Sequence, residues 1–224
     1  MDHELGKKDF LLKGGITNYT DCEKLTFQTD ETGLFSLTAA RISNQLVKQI
    51  ISLFPPNYKI SITDATASVG GNSIPFIISP SFINVNAVEL NKERYRMLEN
   101  NILIKPPPKV NYKLFNCSYL EIKNYIKEDI IFIDPPWGGP DYYKNLKIKL
   151  FLDEYHLSDI INSLFISKIQ LQYIIIKTPR NFDIHDFKFS LKDNLVTTKI
   201  LFPITLKKMD FYLIERDACK IINI

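Results

Sequence analysis

The chain is poor in the residues that build metal centres and extracellular scaffolds. Its three cysteines, Cys22, Cys117 and Cys219, are far apart and odd in number, which fits a reducing compartment and leaves no metal-ligand spacing. The three histidines, His3, His156 and His185, show neither triad nor metal spacing, so no metal is expected. No apolar run approaches the length that crosses a bilayer, and Met1-Asp2-His3-Glu4 lacks the basic start and apolar run of a signal peptide. These absences predict an intracellular protein with no membrane partner, in the nucleus or the cytoplasm, a cytoplasmic viral protein included. A clean G-x-G-x-x-G is missing, as are internal repeats and low-complexity linkers, although Pro106-Pro107-Pro108 makes a rigid spacer. Strong charge is lacking too. Lysine and arginine number 28 against 25 acids, for a net charge of +3 and a pI near 8.6. A protein that tracks a long duplex is usually more basic, so a nucleotide or an RNA end is the better-fitting anionic partner.

What is present is a globular composition, 45% apolar and 24% charged, in a length that suits one domain with a sizeable core; a monomer is plausible, the oligomeric state being open. Beyond Gly33, short β-rich runs alternate with helical segments, the pattern of an α/β fold with helices on both faces of a sheet. Helices are expected over Leu37 to Phe54, stopped by Pro55-Pro56, near Ser73 to Ile78 with Pro75 in the first turn, and over Lys92 to Ile104, Tyr119 to Ile126 and His156 to Phe165. Strands are expected over Tyr58 to Ala65, Asn84 to Leu90, Tyr112 to Phe115, Ile130 to Ile133 and Tyr173 to Lys177. Thr197 to Phe202 and Phe211 to Glu215 can pair antiparallel at the sheet edge. Residues 1–30 have weak periodicity and read as an extension that covers a ligand or as a disordered leader before a domain over 31–224.

The most informative run is Asp134-Pro-Pro-Trp-Gly-Gly-Pro-Asp-Tyr-Tyr143, directly after the apolar stretch that ends at Ile133. Prolines hold the preceding residue extended, so Asp134 is fixed at the carboxyl end of its strand, with Pro135 stiffening the main chain. The glycines then let the loop turn tightly or approach a flat ligand. Trp137 between them reads as a stacking platform beside a carboxylate, suited to a base with an exocyclic amine; the bland alternative is a core plug in a tight turn.

In an open parallel sheet the ligand lies beyond the carboxyl ends of the strands. The residues there are Asp64, Gly70, Gly71, Glu89, Asn116, Asp134 and Arg180. The turn Thr66 to Asn72 is a weak phosphate-loop signal and equally a tight strand-to-helix turn. Glu89, closing the second strand about twenty residues on, stands where an acid binds a ribose hydroxyl pair, or else caps a helix. Asn116 and Ser118, flanking Cys117, suit an adenine edge or an Asx turn. Together they favour an adenosine-containing cofactor, with Asp134 and neighbouring carbonyls accepting from an amino group whose lone pair is aimed at an electrophile. That chemistry is methyl transfer from S-adenosyl-L-methionine.

These motifs resemble those of the trimethylguanosine synthases, RNA cap guanine-N2 methyltransferases, over roughly Thr32 to Glu215. Glu31-Thr-Gly-Leu-Phe-Ser-Leu-Thr38 is similar to the family's Phe-Ser-Val-Thr segment. Asp64-Ala-Thr-Ala-Ser-Val-Gly-Gly-Asn72 is similar to its cofactor turn, Asp-Ala-x-x-Gly-Val-Gly-Gly-Asn. Asp134 to Tyr142 resembles its Ser-Pro-Pro-Trp-Gly-Gly-Pro-x-Tyr, and Pro179-Arg180-Asn181 its Pro-Arg-Asn. The resemblance implies a class I Rossmann-like methyltransferase with a mostly parallel seven-stranded sheet. It implies that Phe35, Thr38, Asp64 and Glu89, with the turn residues Gly70, Gly71 and Asn72, hold S-adenosyl-L-methionine. It further implies that Trp137 stacks on 7-methylguanine of a capped RNA and that Arg180, next to Asn181, meets the cap phosphates. A cationic 7-methylated base gains stacking and cation–π attraction on an aromatic face, and an arginine fork suits a phosphate; a surface arginine in a helix cap is the plainer reading. Two departures stand out: Asp134 replaces the family's Ser, and Ser68 replaces a Gly. The first resembles the Asp-Pro-Pro-Tyr/Trp of methyltransferases acting on adenine or guanine within nucleic acid. Methylation of such a base is therefore one alternative, and a cap-binding module with a decayed cofactor site is another.

Overall fold

The computed structural model describes residues 26–104, 110–191, 196–200 and 209–216, the strand 196–200 through its backbone alone. It divides into two compact units, Met1–Tyr119 and Leu120–Ile224.

In the first unit, α1 (Glu31–Ser36) and α2 (Ala40–Ser52) lead into β1 (Ile60–Asp64), α3 (Ser73–Ile78), β2 (Phe82–Val88), α4 (Lys92–Leu103) and β3 (Asn111–Phe115). The strands lie in the order β3-β2-β1 and all pair parallel. β1 and β2 are largely buried along their length, which is why apolar residues such as Ile60, Ile62, Val85 and Val88 fill them. α2 buries Ala40, Ser43, Leu46, Val47 and Ile50 at helical spacing. It is shorter than the expected Leu37 to Phe54: Leu37 and Ala39 are extended, and the helix ends ahead of Pro55-Pro56. α3 has the expected limits. Pro75 sits at its third position, where no intrahelical N–H partner is needed. The Asn91 side chain caps α4 by accepting from the N–H groups of Glu93 and Arg94, at 3.0 Å each.

Of the expected 1–30 extension, residues 1–25 lie outside the described residues, and 26–30 pack into this unit. Phe27 is buried. The buried Asn101 side chain accepts from Gln28 N–H at 2.7 Å and donates to the carbonyls of Gln28 and Val69 at 2.8 and 2.9 Å. One amide thereby ties this segment to the turn after β1.

The second unit holds β4 (Ile130–Ile133), the short hairpin β5 (Phe151–Leu152) and β6 (Tyr155–His156), α6 (Leu157–Ser167), β7 (Tyr173–Pro179), α7 (Ile184–Ser190), β8 (Val196–Ile200) and β9 (Met209–Arg216). One turn of helix, α5 (Tyr119–Ile122), precedes them. The expected helix runs eight residues, to Ile126, but the chain leaves it in a tight turn in which Tyr125 N–H donates to the Ile122 carbonyl at 2.9 Å. β4 pairs parallel with β7, and β9 runs antiparallel between β7 and β8. The expected edge pair is thus β8 and β9, its connection 201–208 lying outside the described residues. β7 also runs two residues beyond Lys177, because Thr178 and Pro179 pair with Asp210 and Met209. Arg216 closes α6, donating to the carbonyls of Phe165 and Lys168 at 2.7 Å, a cation where the helix dipole is negative. Three strands of the first unit and, the separate β5–β6 hairpin aside, four of the second make the seven sheet strands expected.

Candidate active site

The first unit gathers the expected cofactor residues at the carboxyl ends of its strands. Asp64 closes β1 and is 1% exposed; it accepts from the Ser73 hydroxyl at 2.6 Å and from Thr66 N–H at 3.2 Å. The chain then turns through Ser68 at φ 49° and Gly70 at φ 101°. Ser68 stands where the resembled family has Gly, and its left-handed backbone gives the reason for that preference. Its N–H donates to Glu89 Oε2 at 2.8 Å, across 21 residues. Glu89, just past β2, also accepts from Asn91 N–H at 2.8 Å and lies 3.5 Å from Arg94 Nε. Arg94 in turn meets Asp30, the N-cap of α1.

The paired glycines have an internal reason to be small. A Cβ on Gly70 would fall 2.8 Å from Ile74 Cδ1, and one on Gly71 would fall 2.7 Å from Leu37 Cδ1 and 3.3 Å from Thr38 N. The segment before α2 therefore rests on this turn. Asn72 fastens it there, donating to the buried Thr38 hydroxyl at 3.2 Å and accepting from Ser43 at 3.4 Å. Phe35, on α1, is 53% exposed. Asn116, following β3, donates to the carbonyls of Glu89 and Leu90 at 2.9 and 3.1 Å, so its amide group braces the acid's loop. Cys117 is half-buried and Ser118 buried.

The second unit holds the expected acceptor residues. β4 is buried throughout and delivers Asp134 to its end. Pro135 is buried behind it, Trp137 is half-buried, and Gly138 and Gly139 take φ of 90° and 85° with no atom within 4 Å of a Cβ. This loop is open, and its glycines serve backbone conformation alone. Trp137 meets Tyr142 edge-on, with centroids 5.2 Å apart. Asn181, past the end of β7, donates to the carbonyls of Tyr142 and Asn145 at 2.9 and 2.8 Å, while its Oδ1 is buried with no partner among the described residues. Its neighbour Arg180 is exposed.

One residue of this cluster escaped the sequence reading. Lys177, 2% exposed near the end of β7, places Nζ 2.6 Å from Asp134 Oδ2 and 5.3 Å from the centre of the Trp137 ring. Burial pushes the Asp134 carboxyl above the usual carboxylate range, while the Lys177 ammonium pulls it down. A lysine closing the all-apolar run Tyr173-Ile-Ile-Ile was the available signal, since a cation buried in a strand demands a counter-charge.

Residues 57–222 match the family described as RNA cap guanine-N2 methyltransferase. The chain belongs to that family. Among curated relatives, an uncharacterized mimivirus protein, L320, is 38% identical over 135 residues, which span 60% of this chain and 52% of the relative. The trimethylguanosine synthase of Saccharomyces cerevisiae is 28% identical over 187 residues, 79% of this chain and 54% of its own. That of Schizosaccharomyces pombe is 25% identical over 120 residues, 50% of this chain and 47% of its own. The chain thus spans about half the length of these relatives. Among solved structures, a Porphyromonas gingivalis protein assigned as a methyltransferase superposes with a TM-score of 0.64 at 12% identity, covering 93% of this chain and 48% of that one. A SAM-dependent methyltransferase from Agrobacterium tumefaciens gives 0.54 at 11% identity, covering 79% and 61%. At these identities the likeness is one of fold: the α/β methyltransferase fold with a mostly parallel sheet.

The family and fold are those of S-adenosyl-L-methionine-dependent methyltransferases, and the first unit fits that cofactor. The Ser68 hydroxyl, in the turn between Asp64 and Glu89, is buried with no hydrogen-bond partner among the described residues. Such a group calls for a polar ligand. No helix among the described residues is long and apolar enough to cross a membrane.

Proposed function

We propose that the chain transfers a methyl group from S-adenosyl-L-methionine to the exocyclic 2-amino group of a 7-methylguanosine RNA cap. The observation that carries this reading is the half-buried Trp137, presented beside the strand-end carboxylate Asp134 and braced edge-on by Tyr142. An aromatic face next to an acceptor is what a cationic base with an exocyclic amine requires. The family match and the two yeast trimethylguanosine synthases support the same acceptor. When bound, the cofactor supplies an electrophilic methyl group. Asp64, Glu89, Phe35, Thr38 and the Gly70-Gly71-Asn72 turn hold it in this reading, with Asn116, Cys117 and Ser118 toward its base. Trp137 stacks on the acceptor, and Arg180, beside Asn181, meets cap phosphate. Asp134 accepts from the amine N–H and orients its lone pair; positioning of this kind supplies much of the rate, and the proton leaves to solvent. The domain runs over 31–224, with the extension before it, and similarity to a mimivirus protein supports a viral role in the cytoplasm.

Purified protein is expected to methylate 7-methyl-GTP and capped RNA and to leave GTP unmodified. Equal rates on GTP would overturn the cap assignment. A second reading is favoured by Asp134 itself, which stands where the resembled family has Ser: the acceptor would be an adenine or guanine within a longer nucleic acid. A base in a duplex would have to be flipped out, and oligonucleotide competing effectively against 7-methyl-GTP would support it.

A further inference from the structure

We propose that Lys177 is a positioning residue for the acceptor base, holding the Asp134 side chain in place as a hydrogen-bond acceptor through a buried ion pair. The inference deepens the reading above and rests on it. Lys177 is 2% exposed and reaches Asp134 at 2.6 Å from a strand 43 residues further along. Its ammonium also stands over the Trp137 ring at 5.3 Å, within cation–π range. A single cation therefore touches both groups assigned to the acceptor, the carboxylate and the stacking ring.

The chemistry follows from what an amine demands. An exocyclic amine presents N–H donors, so its partner must accept; a carboxyl that has taken up a proton presents a donor of its own to that amine. Burial drives Asp134 toward the protonated form, and Lys177 opposes it. A serine at this position, as in the resembled family, accepts through a neutral hydroxyl and needs no counter-cation. Asp134 and Lys177 are thus one device: either side chain alone leaves a charge without its partner, and both together give an oriented acceptor. Lys177 also occupies space over the indole, leaving a stacked base to use the opposite face.

The test is a double-mutant cycle of Lys177→Met, Asp134→Ser and the combined variant. Methyl transfer to 7-methyl-GTP is followed by steady-state kinetics and acceptor binding by quenching of Trp137, the chain's single tryptophan. S-adenosylhomocysteine binding is measured by calorimetry. Lys177→Met is expected to weaken acceptor binding about tenfold or more, with S-adenosylhomocysteine affinity within about twofold of wild type. In the Asp134→Ser background the same replacement is expected to cost much less or to restore binding, because the carboxylate that Lys177 holds is absent there. Lys177→Arg, which keeps the cation, is expected to recover much of the loss. Should Lys177→Met fail to fold, the comparison of Asp134→Ser with the combined variant decides the matter. Equal losses in both backgrounds, or unchanged acceptor binding in Lys177→Met, would overturn the proposal. If wild type methylates GTP or an oligonucleotide in place of 7-methyl-GTP, the cap reading falls and the cycle is run with that acceptor. If no base quenches Trp137 in the wild type, the acceptor site and the role of Lys177 fall together.

Discussion

Glu89 in the first unit accepts from two main-chain N–H groups, those of Ser68 and Asn91, whereas Asp134 in the second pairs with a buried ammonium, Lys177, 43 residues away. Main-chain donors come with the turn and need no side-chain ordering, so they survive most substitutions nearby. A buried ion pair is all or nothing. Removing one partner strands the other charge, at about 3 to 5 kcal/mol, whereas replacing both by neutral groups is nearly free. Lys177→Met is therefore the substitution expected to hurt stability most, by about 3 kcal/mol in urea unfolding, with much of the loss recovered by adding Asp134→Ser. A loss under about 1 kcal/mol would mean that the pair is effectively solvated, and the contrast between the units would go.

The glycines extend the comparison. Gly70 has a left-handed φ of 101° and a crowded neighbourhood, with Ile74 2.8 Å from a would-be Cβ; Gly139 has φ 85° and open space. Gly70→Ala adds overpacking to backbone strain, for about 3 kcal/mol, while Gly139→Ala adds strain alone, about 1 kcal/mol. Thermal unfolding of the two variants reads the difference directly. Equal shifts would show that the first turn yields to a methyl group as easily as the open loop does.

The same contrast explains what could be read in the sequence. β4 and α3 were legible to the residue, because an apolar run cut by Asp-Pro-Pro and a Pro allowed only in a first turn are local signals. The cofactor turn was legible because Asp64, Ser68, Gly70 and Asn72 lie within nine residues, with Asp64 bonded locally to Thr66 and Ser73; the bonds of Ser68 to Glu89 and of Asn72 to Thr38 are long-range and were not. What could not be read was set by distant partners. The extension of β7 to Pro179 depends on pairing with Met209 and Asp210, and the tie of 26–30 to the turn depends on Asn101. Lys177 belongs to this class. Its partner lies on another strand, and only the burial of the run around it hinted at a need for one.

Ligand binding separates the halves next. Trp137→Ala is expected to weaken 7-methyl-GTP binding by about 2 kcal/mol, the range of base–aromatic stacking, and to leave S-adenosylhomocysteine binding intact by calorimetry. Asp64→Ala is expected to do the reverse. A variant that lost both ligands together would contradict the assignment of one ligand to each cluster.

The smallest effect sets two carboxylates of the second unit against each other. Asp183 caps α7; the Asp186 N–H and then the Lys147 ammonium hold its carboxyl below the usual range. The folded state binds that proton less readily than the unfolded chain, so its contribution is present above the ordinary carboxylate value and is lost as pH falls through the depressed one. Asp134 is displaced the other way, by burial. The folded state binds its proton more readily, so its contribution is present below the ordinary value of about 4 and is lost as pH rises through the raised one. The melting-temperature deficit of Asp183→Asn should accordingly be greatest near neutrality and fade in acid, while that of Asp134→Asn should be greatest in acid and shrink as pH rises. Parallel profiles would mean that Lys177 outweighs burial at Asp134, leaving a carboxylate held down by its partner as Asp183 is.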